Sequence, residues 1–338
     1  MKLKDKELWL ELYDVAEKIQ KLEPWKHLWD MDLLVYISES LKDVFYCSIF
    51  GHAGMHKAVA IYQGEQVCNF FNLAESEIPA NLIFNYQECL MCNFSERERT
   101  LPKNREIIKE LGLSFRGTWI SFENIEKGYA PSPINMHQVK IMIDVLQNVY
   151  MMLIAIIQHG LEVNFDEGQV LQRHYDKEKK LYINFASPLI IAKKHYGIVK
   201  VNDEYEKTLM KIPQTEMEIE YEFLNFLPMK IREFQEQDGR YYYPISRIMA
   251  ERNSGFIILQ NILDKNGYKN KDEYVIDCID LLIEKIHEIG RPKTIYVRDE
   301  ETKMYLKDVA DKAKIKIVIN PNLKAIDSAY NALSRRGI

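Results

Sequence analysis

The stretch 290–338 constrains the fold more than any other part of the chain. GRPKTIYVRDE, a polar segment of helical period, KIKIVINPN and a second helical segment succeed one another there. This reads as strand, helix, strand, helix. Two buried strands joined by one helix lie parallel, with a right-handed crossover and their carboxyl ends together. Open α/β sheets bind ligands along that edge. It would present Arg298, Asp299, Glu300, Asn320 and Asn322, polar groups suited to holding a ligand but belonging to no catalytic signature. A helix predicted over 271–289 leads into this unit, after strands at 217–223, 240–251 and 255–263. The expectation is a C-terminal α/β domain with a mixed sheet, spanning 214–338.

Upstream, the period changes. Leu8, Leu12, Val15, Ala16 and Ile19 recur at helical spacing before Pro24, which predicts an amphipathic opening helix. MDLLVYI (31–37), DVFYCSIFG (43–51) and KAVAIYQG (57–64), separated by short polar or glycine-containing turns, predict an antiparallel meander. ECLMCNF (88–94) and TWISFEN (118–124) add strands, with a helix near 103–111 between them. Ser132 followed by Pro133 predicts the start of a long apolar helix, since serine caps and proline fits the first helical position. Asp144, Gln147 and Asn148 interrupt its apolar run, so it is read as the spine of an α+β domain over 1–160 and not as a membrane span. Alternating strands at 168–175, 180–186 and 196–201 predict a β-rich bridging segment over 161–213.

The balance of 45 basic against 50 acidic residues, a formal charge of -5, gives no global attraction to nucleic acid or to an anionic membrane. Charges throughout the first turns leave no apolar run of signal-peptide type. Five cysteines, an odd number without a compact framework, point to reduced thiols in a cytoplasm.

Cys89 and Cys92 form a C-x-x-C, but on a strand positions three apart face opposite ways, so the sulfurs would not converge. Cys47 and Cys68 read as small buried residues of neighbouring strands. His52 and His56 fall in GHAGMHK, where two glycines favour a turn over a zinc-binding helix. MEIEYEF alternates completely, and a solvent-facing row of Glu218, Glu220 and Glu222 is the simplest reading, with Lys230 and Arg232 able to pair across it. Tyr241, Tyr242 and Tyr243 read as alternating surface and core on a strand. There is no G-x-S-x-G, no Walker A loop and no G-x-G-x-x-G after a strand.

The order of elements in the second half is similar to that of ribonuclease-H-like folds. That resemblance implies carboxylates on the first strand, the first helix, the end of the fourth strand and the last helix, holding two metal ions for phosphodiester cleavage. Asp299 matches the strand end and Asp327 the last helix. Asp277, Asp280 or Glu284 would serve from the first helix, and Glu251, at the very end of RYYYPISRIMAE, is the candidate from the first strand. LEPWKHLWDMD with FGHAG and AIYQG, then YYYP, the NSG turn, GRPKTIYVRDE and INPNLKAIDSAYNAL, together resemble an uncharacterised bacterial two-module family whose N-terminal module also occurs beside plasmid ORF-3-like modules. The resemblance implies two domains and supplies no activity. The reading is therefore a bacterial cytoplasmic protein that binds a protein partner without catalysis, with no cofactor and no membrane. Nucleic acid is not favoured as a partner. The alternative is a metal-dependent nuclease, or its degenerate binding relative, resting on Glu251, Asp299 and Asp327.

Overall fold

The computed structural model describes residues 2–54, 56–75, 85–191, 194–227, 234–236 and 239–335. The chain divides into two compact units, Met1–Phe71 with Gln87–Glu126 and Pro131–Lys193, and Asn72–Tyr86 with Lys127–Ala130 and Lys194–Ile338.

The first unit is built on β1 (Leu34–Ser38), β2 (Asp43–Phe50), β3 (Lys57–Gln63), β4 (Cys89–Ser95), β5 (Trp119–Ile125), β6 (Ser132–Pro133), β7 (Gln169–Asp176) and β8 (Leu181–Pro188). They form one sheet in the order β6-β5-β4-β3-β2-β1-β7-β8. Every neighbouring pair is antiparallel except β1 with β7, where Leu34 lies beside Leu171 and Ile37 beside His174 in parallel register. The predicted meander is present. The strands at 169–176 and 181–188, however, do not make a separate bridge: they extend this sheet.

Helices α1 (Leu3–Leu22), α3 (Pro102–Leu111) and α4 (Met136–Ile157) cover one face of the sheet. Trp9, Leu12, Tyr13, Val139, Leu146 and Met152 pack there against Phe45 and Phe122. Full burial of each such apolar side chain contributes roughly 1.5–3 kcal/mol. By length and composition alone α4 is apolar enough to cross a membrane, yet its inner side, from Val139 to Leu153, is part of this core. It begins at Met136, not at Ser132 as the sequence suggested. Asn135 accepts from the backbone N–H of His137 and Gln138 while Gln138 reaches back to the Asn135 N–H, and this reciprocal cap outcompetes Ser132, which pairs as β6. On the opposite face Val35, Ala58, Tyr62 and Met91 meet Val67 and Phe70 from α2 (Gln66–Glu75). Cys92 belongs to the first of these cores and Cys89 to the second, as alternation on β4 requires. Cys68 is on α2, half-buried, and not on a strand.

The second unit contains β9 (Glu218–Phe226), β10 (Ile245–Glu251), β11 (Ile257–Leu263), β12 (Thr294–Val297) and β13 (Lys316–Ile319), in the order β11-β10-β9-β12-β13. The first three are antiparallel, and β12 and β13 run parallel to β9. Helices α6 (Lys271–Ile289) and α7 (Glu300–Ala313) follow the third and fourth strands and cover one face, burying Ile219, Tyr221 and Phe223. Helix α8 (Lys324–Arg335) covers the other, with Ile326 and Tyr330 against Ile248 and Ala250.

Two expectations fail in this unit. Residues 196–201 are not a strand; they run without regular structure ahead of α5 (Glu204–Leu209). Asp308 on α7 holds that run, accepting from Lys200 Nζ and from the Val201 N–H, both at 2.9 Å. The carboxylate row of β9 is not solvated either. Glu220 and Glu222 are 0% and 3% exposed because α8 lies over them. The expected partners Lys230 and Arg232 lie outside the described residues.

Candidate functional site

The carboxyl end of β12 is where the parallel strands, the start of α7 and the start of α8 converge. Arg298, the first residue past β12, is 3% exposed. Its Nε donates to Glu222 on β9, its Nη1 to the carbonyl of Pro321, and its Nη2 to Asp327 Oδ1 on α8 at 2.7 Å. One guanidinium thus binds two carboxylates and a carbonyl, the fork geometry for which arginine is suited. Glu222 receives a further hydrogen bond from the Tyr330 hydroxyl at 2.5 Å, and Ser246 Oγ stands 2.9 Å from that hydroxyl. Burial, then the Glu222 charge, pushes Tyr330 well above the ordinary tyrosine range, so it stays a donor. Burial also raises Asp327, and the Arg298 guanidinium opposes that rise.

Glu220, two residues back on the same face of β9, is answered separately. Arg252 Nη1 donates to its Oε1 at 2.6 Å, and the backbone N–H groups of Ala325 and Ile326 donate to its Oε2 at 2.9 and 3.2 Å. A buried carboxylate therefore takes up orphan donors in the first turn of α8, where the helix dipole favours negative charge. Burial raises Glu220, with those N–H groups and Arg252 acting against it.

The other edge residues serve the backbone. Asp299 caps α7, its Oδ1 accepting from the Thr302 N–H at 2.8 Å. The buried Tyr86 hydroxyl lies 3.5 Å from Asp299 Oδ2. That tyrosine is held well above its usual range by burial, then by Asp299 and Glu222. Glu300 pairs with Lys303 at 3.2 Å. Asn320 donates its N–H to the Val297 carbonyl at 2.8 Å and accepts from the Asn322 N–H at 3.0 Å, closing the turn after β13.

Of the three residues proposed for a metal, Asp327 is held by Arg298 and Asp299 is its neighbour, but Glu251 is elsewhere. It pairs with Ile219, three residues back along β9 from Glu222, or ~10 Å of strand rise. There it accepts from the N–H groups of Asn253 and Ser254 in the β10–β11 turn. Asp277 is likewise committed elsewhere, on the face covered by α6, where Arg247 and Tyr268 donate to it at 2.5 and 2.8 Å. Among the described residues no group of three or more His, Cys, Asp or Glu side chains is placed to hold a metal ion. The residues the sequence reading missed at this site are Glu220, Glu222, Tyr330, Tyr86 and Arg252. For Glu220 and Glu222 the signal was present in the alternation of MEIEYEF, with the face assigned to solvent.

These features define a protein of two mixed α/β modules, the second carrying a buried, charge-balanced network at its parallel strand edge. Residues 9–173 match a domain of unknown function (DUF7309) and residues 206–334 match a second (DUF6930), which fits an uncharacterised two-module family. No curated protein and no solved structure matches the chain.

Proposed function

We propose that this chain is a non-enzymatic binding protein, an adaptor for a protein partner in the bacterial cytoplasm. The observation that carries the reading is Arg298. Its guanidinium sits among Glu222, Asp327 and the Pro321 carbonyl, where a cation serving those oxygens would otherwise lie. A divalent ion would have to displace a buried cation already bound on three sides, leaving the guanidinium without its carboxylate partners. The net charge of -5 disfavours nucleic acid as the partner.

One observation favours a second reading. Numbered along the unit, the strand order is 3-2-1-4-5, with the last two strands parallel to the first. The ribonuclease-H-like expectation rested on the order of elements along the chain and on Glu251, Asp299 and Asp327; in this sheet it is Glu222 that lies on the central strand, with Asp299 after the fourth strand and Asp327 on the last helix. On that reading the chain is a metal-dependent nuclease or its degenerate nucleic-acid-binding relative. Isothermal titration of the full chain with Mn²⁺, repeated with Asp299→Asn, separates the two. The adaptor reading requires no saturable heat from either protein. Saturable binding abolished in the variant would replace it with the metal-dependent one.

A further inference from the structure

The first unit holds a polar depression of about 290 Å³ between the β2–β3 turn, the end of β4 and the loop before β5. We infer that it binds a small phosphate-bearing molecule. Three basic side chains line it, His56, Lys57 and Arg99, against one carboxylate, Glu96. Neither Lys57 nor Arg99 makes a contact ion pair among the described residues, although the Glu23 carboxylate acts on Lys57 from beyond contact distance. An arginine fork beside a lysine point charge is the pairing that phosphate oxygens favour. The hydroxyls of Ser95 and Thr118 border the same space, as does Gly117, which has φ +86° and no neighbouring atom where a Cβ would stand.

The position of Lys57 is built into the fold. Its stem crosses Gly51, where a Cβ would come within 2.8 Å of Lys57 Cγ, and Gly51 has φ +120°. Only glycine accommodates both the conformation and the crossing. The ammonium then rests 4.9 Å from the centroid of the Trp25 ring, and Trp25 packs on Phe94 of the depression wall at 5.3 Å. The aromatic face fixes the ammonium without supplying a formal negative charge. His56 is positioned too, its Nε2 lying 2.9 Å from Asn93 Oδ1 on β4. With the carbonyl oxygen of Asn93 as acceptor, Nε2 is the donor in that contact. The volume lies near the lower bound for ligand clefts, which suits a phosphate group with few other atoms.

The test is calorimetric titration of the full chain with inorganic phosphate, with acetate as the carboxylate control. Saturable, salt-sensitive phosphate binding is expected, weakened about tenfold by Lys57→Met and by Arg99→Gln and strengthened by Glu96→Gln. Lys57→Met keeps the stem against Trp25, and Arg99 is exposed, so unchanged thermal melts are expected for both. Absence of saturable phosphate binding, equal binding of acetate, or affinity unaltered in both cation variants would overturn the assignment.

Discussion

Replacing Arg298 by methionine removes the cation between Glu222 and Asp327 while keeping an unbranched apolar stem. Three interactions go at once, to Glu222, Asp327 and the Pro321 carbonyl. Removing one member of a buried ion pair costs about 3–5 kcal/mol, because the partner charge stays behind. Here two carboxylates stay behind, so the upper part of that range applies, against a total of about 5–15 kcal/mol for a domain. The loss should also depend on pH. Burial already raises Asp327 against the guanidinium's opposition, so without Arg298 the rise is larger, and the contribution of the Asp327 carboxyl is present at low pH and vanishes as pH rises. The variant's deficit is therefore smaller at pH 5 than at pH 8. Changing the carboxylates as well, to Glu222→Gln and Asp327→Asn, should restore most of the loss, since a neutral set can hydrogen-bond without a cation. Urea denaturation followed by far-ultraviolet circular dichroism reads this out. Tryptophan fluorescence does not, because Trp9, Trp25, Trp29 and Trp119 all belong to the first unit. A deficit below about 1 kcal/mol, as for an exposed ion pair, or a triple variant no more stable than Arg298→Met, would refute the claim that Arg298 neutralises this site.

Two further outcomes follow from titrating groups elsewhere. Lys200, Lys312 and the Val201 N–H lower Asp308 to about 2 despite its burial. It thus contributes about 1–2 kcal/mol after allowance for solvent around Lys200, fully present above pH ~4 and lost as pH falls towards 2. Asp308→Asn should remove that contribution at pH 7 and flatten the acid limb of the urea midpoint. Glu123 on β5 is the opposite case, raised by burial to about 7 with Asn93 opposing the rise. Its stabilising contribution is present below pH ~4.5 and lost progressively between pH ~4.5 and 7, by about 1–3 kcal/mol. Glu123→Gln should therefore be more stable than the parent at pH 8 and flat across that window, and because Glu123 lies in the unit with the tryptophans, their fluorescence is the assay.

Local chemistry made part of the fold legible. The predicted helix over 271–289 coincides with α6, and the polar helical segment after GRPKTIYVRDE with α7; the side chains of Asn270 and Asp299 cap them by accepting from the first helical turn. Long-range pairing was not legible. A period of two identifies a strand without naming its neighbour, so nothing in 169–188 announced that β7 joins β1 across more than a hundred intervening residues. The same limit hid the nature of the candidate site. The alternation in MEIEYEF gave the two faces of β9 correctly, but which of them water reaches depends on α8, about a hundred residues later in the chain. The choice of solvent followed the usual fate of charge rows, and here two arginines overrode it.

Arg252 follows β10 and Arg298 follows β12, the strands on either side of β9, and each reaches one buried glutamate. Carboxylates on a central strand and guanidiniums on its neighbours can all be buried only if the charges meet, because an unpaired one would cost several kcal/mol. That requirement links two sequence features that were read independently, the glutamate row and the polar edge at 298–300. The sequence offers Arg298 as a group presented at a ligand-binding edge. In the structure it faces inward, and its three hydrogen bonds are the reason the edge holds its shape and the acidic side chains beneath it are already occupied.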